Sequence, residues 1–135
     1  MRAWRFLILG WLATTIFACG GSQILLDAPR VPITSLEQIA GKWEGLSKRM
    51  PDMRDHAWVI LIISDKGHFN FVSNRGTDLL LGTGPLHMAD GRGFGESSAG
   101  SGTFTLHEKD GQFILVVEAA LKDGYHYYLE TSAEK

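Results

Sequence analysis

The residue types that could carry chemistry in this chain are one cysteine, five histidines and a few clustered serines. Cys19 is the only thiol, so no disulfide can form within the chain. Ser97, Ser98 and Ser101 have no identifiable base partner and lack the Gly-x-Ser-x-Gly setting of a hydrolase nucleophile. The histidines are scattered and show no His-Glu-x-x-His spacing. We therefore predict that the protein is not an enzyme and uses no cofactor.

The segment from residue 50 to residue 56, MPDMRDH, spaces Met50, Met53 and His56 at intervals of three. Thioether and imidazole groups are ligands that suit copper. Methionines also form adaptable contact surfaces. We favour the second interpretation because lysine, arginine and aspartate residues surround the methionines. The segment is predicted to be a loop that contacts a protein partner, and no metal site is predicted.

The first eighteen residues predict export. Arg2 and Arg5 precede an uncharged apolar run from Phe6 to Ala18. That run is shorter than the roughly 20 residues of a membrane span, and it fits the apolar core of a secretory signal, ~7–15 residues long. Ala18 is a small residue at the expected cleavage point. The sequence therefore predicts a signal peptide over residues 1–18.

The four residues Ile16-Phe17-Ala18-Cys19 resemble the lipobox of bacterial lipoproteins. The resemblance implies that Cys19 is lipidated and becomes the first residue of the mature chain. It also implies a lipid-anchored protein of the cell envelope, with the membrane as its first partner. Gly20, in place of an aspartate after the cysteine, implies the periplasmic face of the outer membrane. The alternative is an ordinary signal peptide with an incidental cysteine.

Length and charge limit what the remainder can be. The part from Cys19 onward carries 11 basic and 15 acidic residues, a formal charge of −4, and it is long enough for one domain. No basic patch favours nucleic-acid binding. Residues 19–33 contain two glycines and two prolines and are predicted to be a tether. The folded domain is predicted to span residues 34–135.

Within that domain the pattern predicts an all-β fold. Ser35 with Gln38 makes a capping-box pattern for one short helical turn that ends before Gly41. Period-two segments separated by tight-turn signals follow, with no long amphipathic helix. Strands are predicted over 42–47, 58–64, 68–73, 78–82, 86–89, 93–97, 103–108, 112–121 and 125–131. Because a meander of short strands must hide its edges, we predict a small antiparallel meander β-barrel of about eight strands, with a sandwich as the alternative.

A short helical turn, then Gly41-Lys42-Trp43 opening the first strand of a meander, resembles the calycin barrels, which include the lipocalins. The resemblance implies that Trp43 closes the floor of a lipocalin-like barrel and that the barrel holds a small apolar ligand. Lipocalins pack an arginine of the last strand against this tryptophan. The last strand here, YHYYLETS, has no arginine.

The alternation of apolar residues assigns eight aromatic side chains to the barrel interior. They are Trp43, Trp58, Phe69, Phe71, Phe104, Phe113, Tyr125 and Tyr127. These rings either fill a packed core or line a small apolar pocket. An empty pocket of ~300 Å³ costs about 7 kcal/mol, which is comparable to the whole stability of a small domain and favours a filled interior. Two functions stay open: a small apolar ligand inside the barrel, or recognition of an envelope protein.

Two stretches lead to further expectations. Residues 58–63, WVILII, are apolar on both faces, so their outer side is expected to be covered by the tether or by the helical turn. Residues 91–102 are rich in glycine and are expected to form a mobile or bulged hairpin. No helix follows Gly91-Arg-Gly-Phe-Gly95, so this run is not predicted to hold a phosphate.

Overall fold

The computed structural model describes residues 27–73 and 80–134. The predicted signal peptide and Cys19 lie outside these ranges. Within them the chain forms nine strands and one short 3-10 turn, Leu36–Gln38. The strands are β1 Arg30–Val31, β2 Gly41–Arg49, β3 Arg54–Ile63, β4 His68–Val72, β5 Thr83–Ala89, β6 Arg92–Ser97, β7 Gly100–Lys109, β8 Gln112–Leu121 and β9 His126–Ala133. Residues 80–82, predicted to end a strand, do not belong to one.

Strands β2 to β9 form a closed antiparallel barrel. Each strand pairs with the next one along the chain, and β9 returns to pair with β2. Closure leaves no long unpaired edge among these strands, which is the physical reason why a short-stranded meander rolls up. The predicted fold class, a meander barrel of eight strands preceded by a short helical turn, is therefore confirmed.

Local sequence explains the turns. Asp90 and Gly91, and likewise Asp110 and Gly111, adopt positive φ at the β5–β6 and β7–β8 turns. Two consecutive residues of that kind form the tight hairpin turn that suits the twist of the flanking strands. Before the barrel, the Ser35 backbone N–H donates to Gln38 Oε1 at 3.0 Å, as the capping pattern predicts.

The segment predicted to be a tether enters the barrel earlier than expected. Arg30 pairs with His107 and Val31 pairs with Leu106, in the part of β7 that extends past the first residues of β6. Ile33 is buried in the core. The predicted boundary at residue 33 is therefore too late. Strand β1 has only two residues, and its pairing uses backbone groups of β7 that no local sequence pattern reveals.

Three phenylalanine rings fill the centre of the barrel. Phe69, Phe71 and Phe104 are fully buried, and their ring centroids lie 5.6 to 6.2 Å apart. The glycine-rich stretch lies against them as a regularly paired hairpin of β6 and β7, without the expected bulge. A methyl group added at Gly95 would lie 2.6 Å from the Phe69 ring. The glycine is needed because the ring occupies the space of a side chain.

Five of the eight aromatic residues assigned to the interior are buried there: Trp43, Phe69, Phe71, Phe104 and Tyr127. The other three are not, since Trp58, Phe113 and Tyr125 are 55%, 48% and 45% exposed. Trp58 alternates with buried Val59 and therefore faces outward. Phe113 and Tyr125 have the alternation of inward residues, but they lie beside turns, beyond the packed part of the barrel.

The outer side of β3 is uncovered in the described part of the chain. Ile62 and Trp58 are both exposed, so neither residues 27–33 nor the helical turn shields this face. The Trp58 indole Nε1–H donates to Glu44 Oε2 at 2.9 Å. The expected cover is therefore not provided by the described residues.

Candidate functional site: a groove on the outer wall of the barrel

A large concave surface lies outside the barrel, across β6, β7, β8 and β9. Strand register aligns its outward residues in two transverse rows. One row contains Phe94, Thr103, Glu118 and Tyr128, and the next contains Glu96, Ser101, Ala120 and His126. The residues in the middle of the rows, on β7 and β8, are mostly small, and the residues at the two ends, on β6 and β9, are large. The result is a groove of about 740 Å³ along β7 and β8.

The loop between β2 and β3 adds a wall to this groove. Met50 and Pro51 line it, and the Met50 backbone N–H donates to the His126 carbonyl at 2.8 Å. Beside the groove, Met50 and Met53 pack against Val116 and Tyr128. This group, completed by Ala28 and Ile114, is referred to below as the outer cluster. The two methionines predicted to contact a partner are thus partly buried, and only Met50 lines the groove.

His56, the third residue of the predicted contact loop, lies elsewhere. Its ring centroid is 4.7 Å from that of Tyr127, whose side chain belongs to the barrel core. His56 and Tyr127 line a second hollow of about 560 Å³ with Leu80 and Leu121. The structure therefore does not unite Met50, Met53 and His56 in one site. Within the described ranges, no three His, Cys, Asp or Glu side chains are grouped to hold a metal ion.

The groove carries negative charge that no neighbouring side chain neutralises. Its described lining includes Glu96 and Glu118 and contains no lysine or arginine. Neither carboxylate makes a hydrogen bond or an ion pair with another described residue, because the ion pairs of the described chain lie elsewhere. The hydroxyl groups of Ser101 and Thr103 also lack a partner among the described residues. The groove therefore offers two acceptor carboxylates and two hydroxyl groups to a ligand.

Tyr128 lines the groove as a neutral hydrogen-bond donor. Its hydroxyl donates to Glu130 Oε1 at 2.8 Å. Burial in the outer cluster raises the pKa of the phenol well above its ordinary value of 10.0, and the hydrogen bond to Glu130 raises it further. The negative charges of Glu130 and Glu118 act in the same direction.

This pKa leads to a prediction about alkaline stability. Above pH 10 the unfolded chain loses the Tyr128 proton while the folded chain keeps it, so the free energy of unfolding falls as the pH rises. One proton accounts for at most about 1.4 kcal/mol per pH unit. Urea unfolding between pH 9 and pH 11 should show a smaller decline for Tyr128→Phe than for the wild type. If the free energy of unfolding declines equally with pH in both proteins, the Tyr128 phenol ionises alike in the folded and unfolded states.

Comparisons with protein families, with curated proteins and with solved structures found no match to this chain. No helix in residues 27–73 or 80–134 is long and apolar enough to cross a membrane.

Apart from Met50 and Tyr127, the sequence analysis did not select the residues that line the groove, although part of the signal was present. The two-residue turn at Asp110 and Gly111 fixes the register of the hairpin, and that register places Ser101 opposite Ala120. Small residues in register on the outer face of a hairpin indicate a shallow depression. The walls depend on β6, β9 and the 50–53 loop, whose positions follow from barrel closure.

Proposed function

We propose that the chain is a lipid-anchored, non-catalytic binding protein of the bacterial cell envelope, which holds its partner on the outer wall of the barrel. One observation carries this proposal: phenylalanine rings fill the barrel interior, whereas the groove on the outer wall is open and its carboxylates are unpaired. A volume of about 740 Å³ is typical of binding sites, which measure roughly 300–1,000 Å³.

The filled interior supports recognition of a protein partner over storage of an apolar ligand. Phe69 is in contact with Phe71 and Phe104, and glycine at position 95 is what allows the rings to fit. A ligand inside the barrel would have to displace these rings. Trp43 is buried near the start of β2, and its indole N–H donates to the Ile39 carbonyl at 2.8 Å. That position supports a lipocalin-like architecture with a packed core.

Anchoring through Cys19 would keep the groove close to the membrane. Asp27 is the eighth residue after Cys19, and eight steps of a fully extended chain span at most about 29 Å. Ala28 already belongs to the outer cluster, which borders the groove. The partner is therefore expected to be a protein of the same compartment, on the periplasmic face of the outer membrane.

Site-specific photocrosslinking in a bacterial host tests the proposal. A benzophenone amino acid is placed at Ser101 in the groove or, as a matched control, at Asn70, an exposed residue of β4. We expect a discrete adduct from position 101 in the membrane fraction and none from position 70. The same adducts from both positions would contradict a binding site in the groove.

The anchor is tested in the same cells with Cys19→Ala. Without the thiol no acyl chain can be attached, so incorporation of labelled palmitate should cease and the protein should leave the membrane fraction. Lipid labelling that persists in this variant would show that the cysteine is not the attachment site.

A further inference from the structure

We propose that the groove binds an extended segment of a partner protein that presents basic side chains at alternate positions. The inference rests on the proposed function, because it specifies the chemistry of the partner at the same site. It is carried by charge complementarity: Glu96 and Glu118 face the groove without a cation among the described residues.

The interval between the rows of the two carboxylates matches an extended chain. Glu96 on β6 and Glu118 on β8 lie on either side of β7, in adjacent transverse rows that are two residues apart along the strands. Two residues of a β-strand advance about 6.8 Å. A peptide that runs along β7 and β8 repeats its side chains at the same interval, since residues i and i+2 point to one face. Lysine or arginine at these alternate positions would meet one carboxylate in each row.

The remaining surface of the groove suits the rest of such a segment. Ser101 and Thr103 carry hydroxyl groups free to bond with peptide N–H and C=O groups. Phe94, which is 38% exposed, forms one side, and Met50 lines the other. The long aliphatic stems of lysine and arginine cover apolar surface of this kind while their charged ends reach the carboxylates. Polar groups spread over two rows favour an extended chain over a compact amine.

Three basic side chains near the groove are engaged with other groups of the described chain. Arg49 lies over the Tyr125 ring, 4.6 Å from its centroid. Lys48 pairs with Asp55, and Arg54 pairs with Asp52. These three cations are therefore engaged. Lys122 lines a small hollow beside Glu96 but makes no ion pair with it, so the two carboxylates stay available.

Peptide titrations followed by amide NMR spectra test the inference. The protein used for the titrations starts at residue 19 and carries Cys19→Ser, so that it stays unlipidated. The probes are blocked hexapeptides of alternating lysine and valine, the same peptide with glutamate for lysine, the same with glutamine, and 1,5-diaminopentane. We expect the lysine peptide to shift amide signals of residues 101–103 and 118–120, and the other three probes to bind at least tenfold more weakly.

Matched variants identify the groups responsible. Glu96→Gln and Glu118→Gln should each weaken binding of the lysine peptide by about fivefold, the upper range for an exposed ion pair. Ala120→Trp, which fills the floor of the groove, should abolish binding. Glu37→Gln and Asp65→Asn remove exposed carboxylates in the helical turn and in the β3–β4 turn, away from the groove, and should leave binding unchanged.

The outcomes separate this inference from the proposed function. Equal binding of the glutamine or glutamate peptide would overturn the basic specificity, while a crosslink at position 101 would still support an outer-wall site. If 1,5-diaminopentane binds as tightly as the lysine peptide, the ligand of the groove is a small amine and not a peptide. If the amide signals of the groove residues shift with protein concentration when no peptide is present, the occupant of the groove is a second copy of the chain.

Discussion

Phe69→Ala is expected to lower the free energy of unfolding by about 3–5 kcal/mol, the range for deleting a buried aromatic ring. Phe69 is fully buried and is in contact with Phe71 and Phe104. Gly84 and Gly95 line the same space and have no side chains that could move into the cavity. Because the site cannot collapse, the loss should lie toward the upper end of the range. A domain of this size is stabilised by only ~5–15 kcal/mol.

Urea denaturation measures this loss, with Phe94→Ala as the control. Phe94 lies on β6, two strands away from β4, and faces outward, so its removal should cost about 1 kcal/mol or less. The combination of Phe69→Ala with Gly95→Ala should be less destabilising than the sum of the two single changes. The added methyl group would meet the rings of Phe69 and Phe104, and the first of these is then absent. Similar losses for both phenylalanines would contradict a core built on Phe69.

The fold could be predicted because each local signal pointed to the same architecture. Alternating residues in β8 and paired Asp-Gly turns specify short antiparallel strands, and closure follows from the need to protect edges. Alternation also gives the direction of a side chain, yet it does not say where the packed interior ends. Phe113 and Tyr125 have the inward phase and still lie in water, since they are adjacent to turns.

The glycine-rich stretch shows a different reason for failure. Glycine weakens a strand when it is considered alone, and so residues 91–102 suggested a mobile hairpin. In the barrel, Gly95 is paired with Gly102 and accommodates the Phe69 ring from across the interior. This role depends on a contact between residues far apart in sequence. A single sequence contains the glycine and the ring but not their proximity.

The groove could be predicted only in part for the same reason. The β7–β8 register follows from a local turn, whereas the depth of the groove depends on Met50 and Pro51 folding beside β9. That contact joins two strand ends that come together only when the barrel closes. The predicted contact loop thus contributes two residues to the groove, Met50 and Pro51, whereas His56 lies against Tyr127.

Because the interior is filled and the groove lies outside it, the residues that stabilise the fold differ from those that would bind a partner. The groove residues Glu96, Ser101 and Ala120 point away from the core, so changing them removes no interior packing. Surface changes of this kind usually alter stability by no more than about 0.5 kcal/mol. A loss of binding in Glu96→Gln or Glu118→Gln can therefore be attributed to the site itself.

Gly45→Ala is expected to disrupt the junction at which β2 and β9 close the barrel. The added methyl group would overlap the backbone carbonyl oxygen of Glu130 and lie 3.1 Å from Thr131 Cα. Backbone atoms cannot move aside as a flexible side chain does. Strand β9 is also held on its other side, where the Thr131 hydroxyl donates to the Leu115 carbonyl at 2.8 Å. We therefore expect a loss at or above the upper end of the usual ~1–3 kcal/mol for overpacking.

Hydrogen exchange locates the damage and separates it from a general loss of stability. In Gly45→Ala, the amides of residues 43–49 and 127–133 should lose protection first, because they form the β2–β9 junction. Amides of the β7–β8 hairpin should stay protected until the whole domain opens. Lys48→Ala, an outward change on the same strand, serves as the control and should exchange like the wild type. If the junction amides of Gly45→Ala exchange as slowly as those of the wild type, β2 and β9 are farther apart at Gly45 than a closed barrel requires.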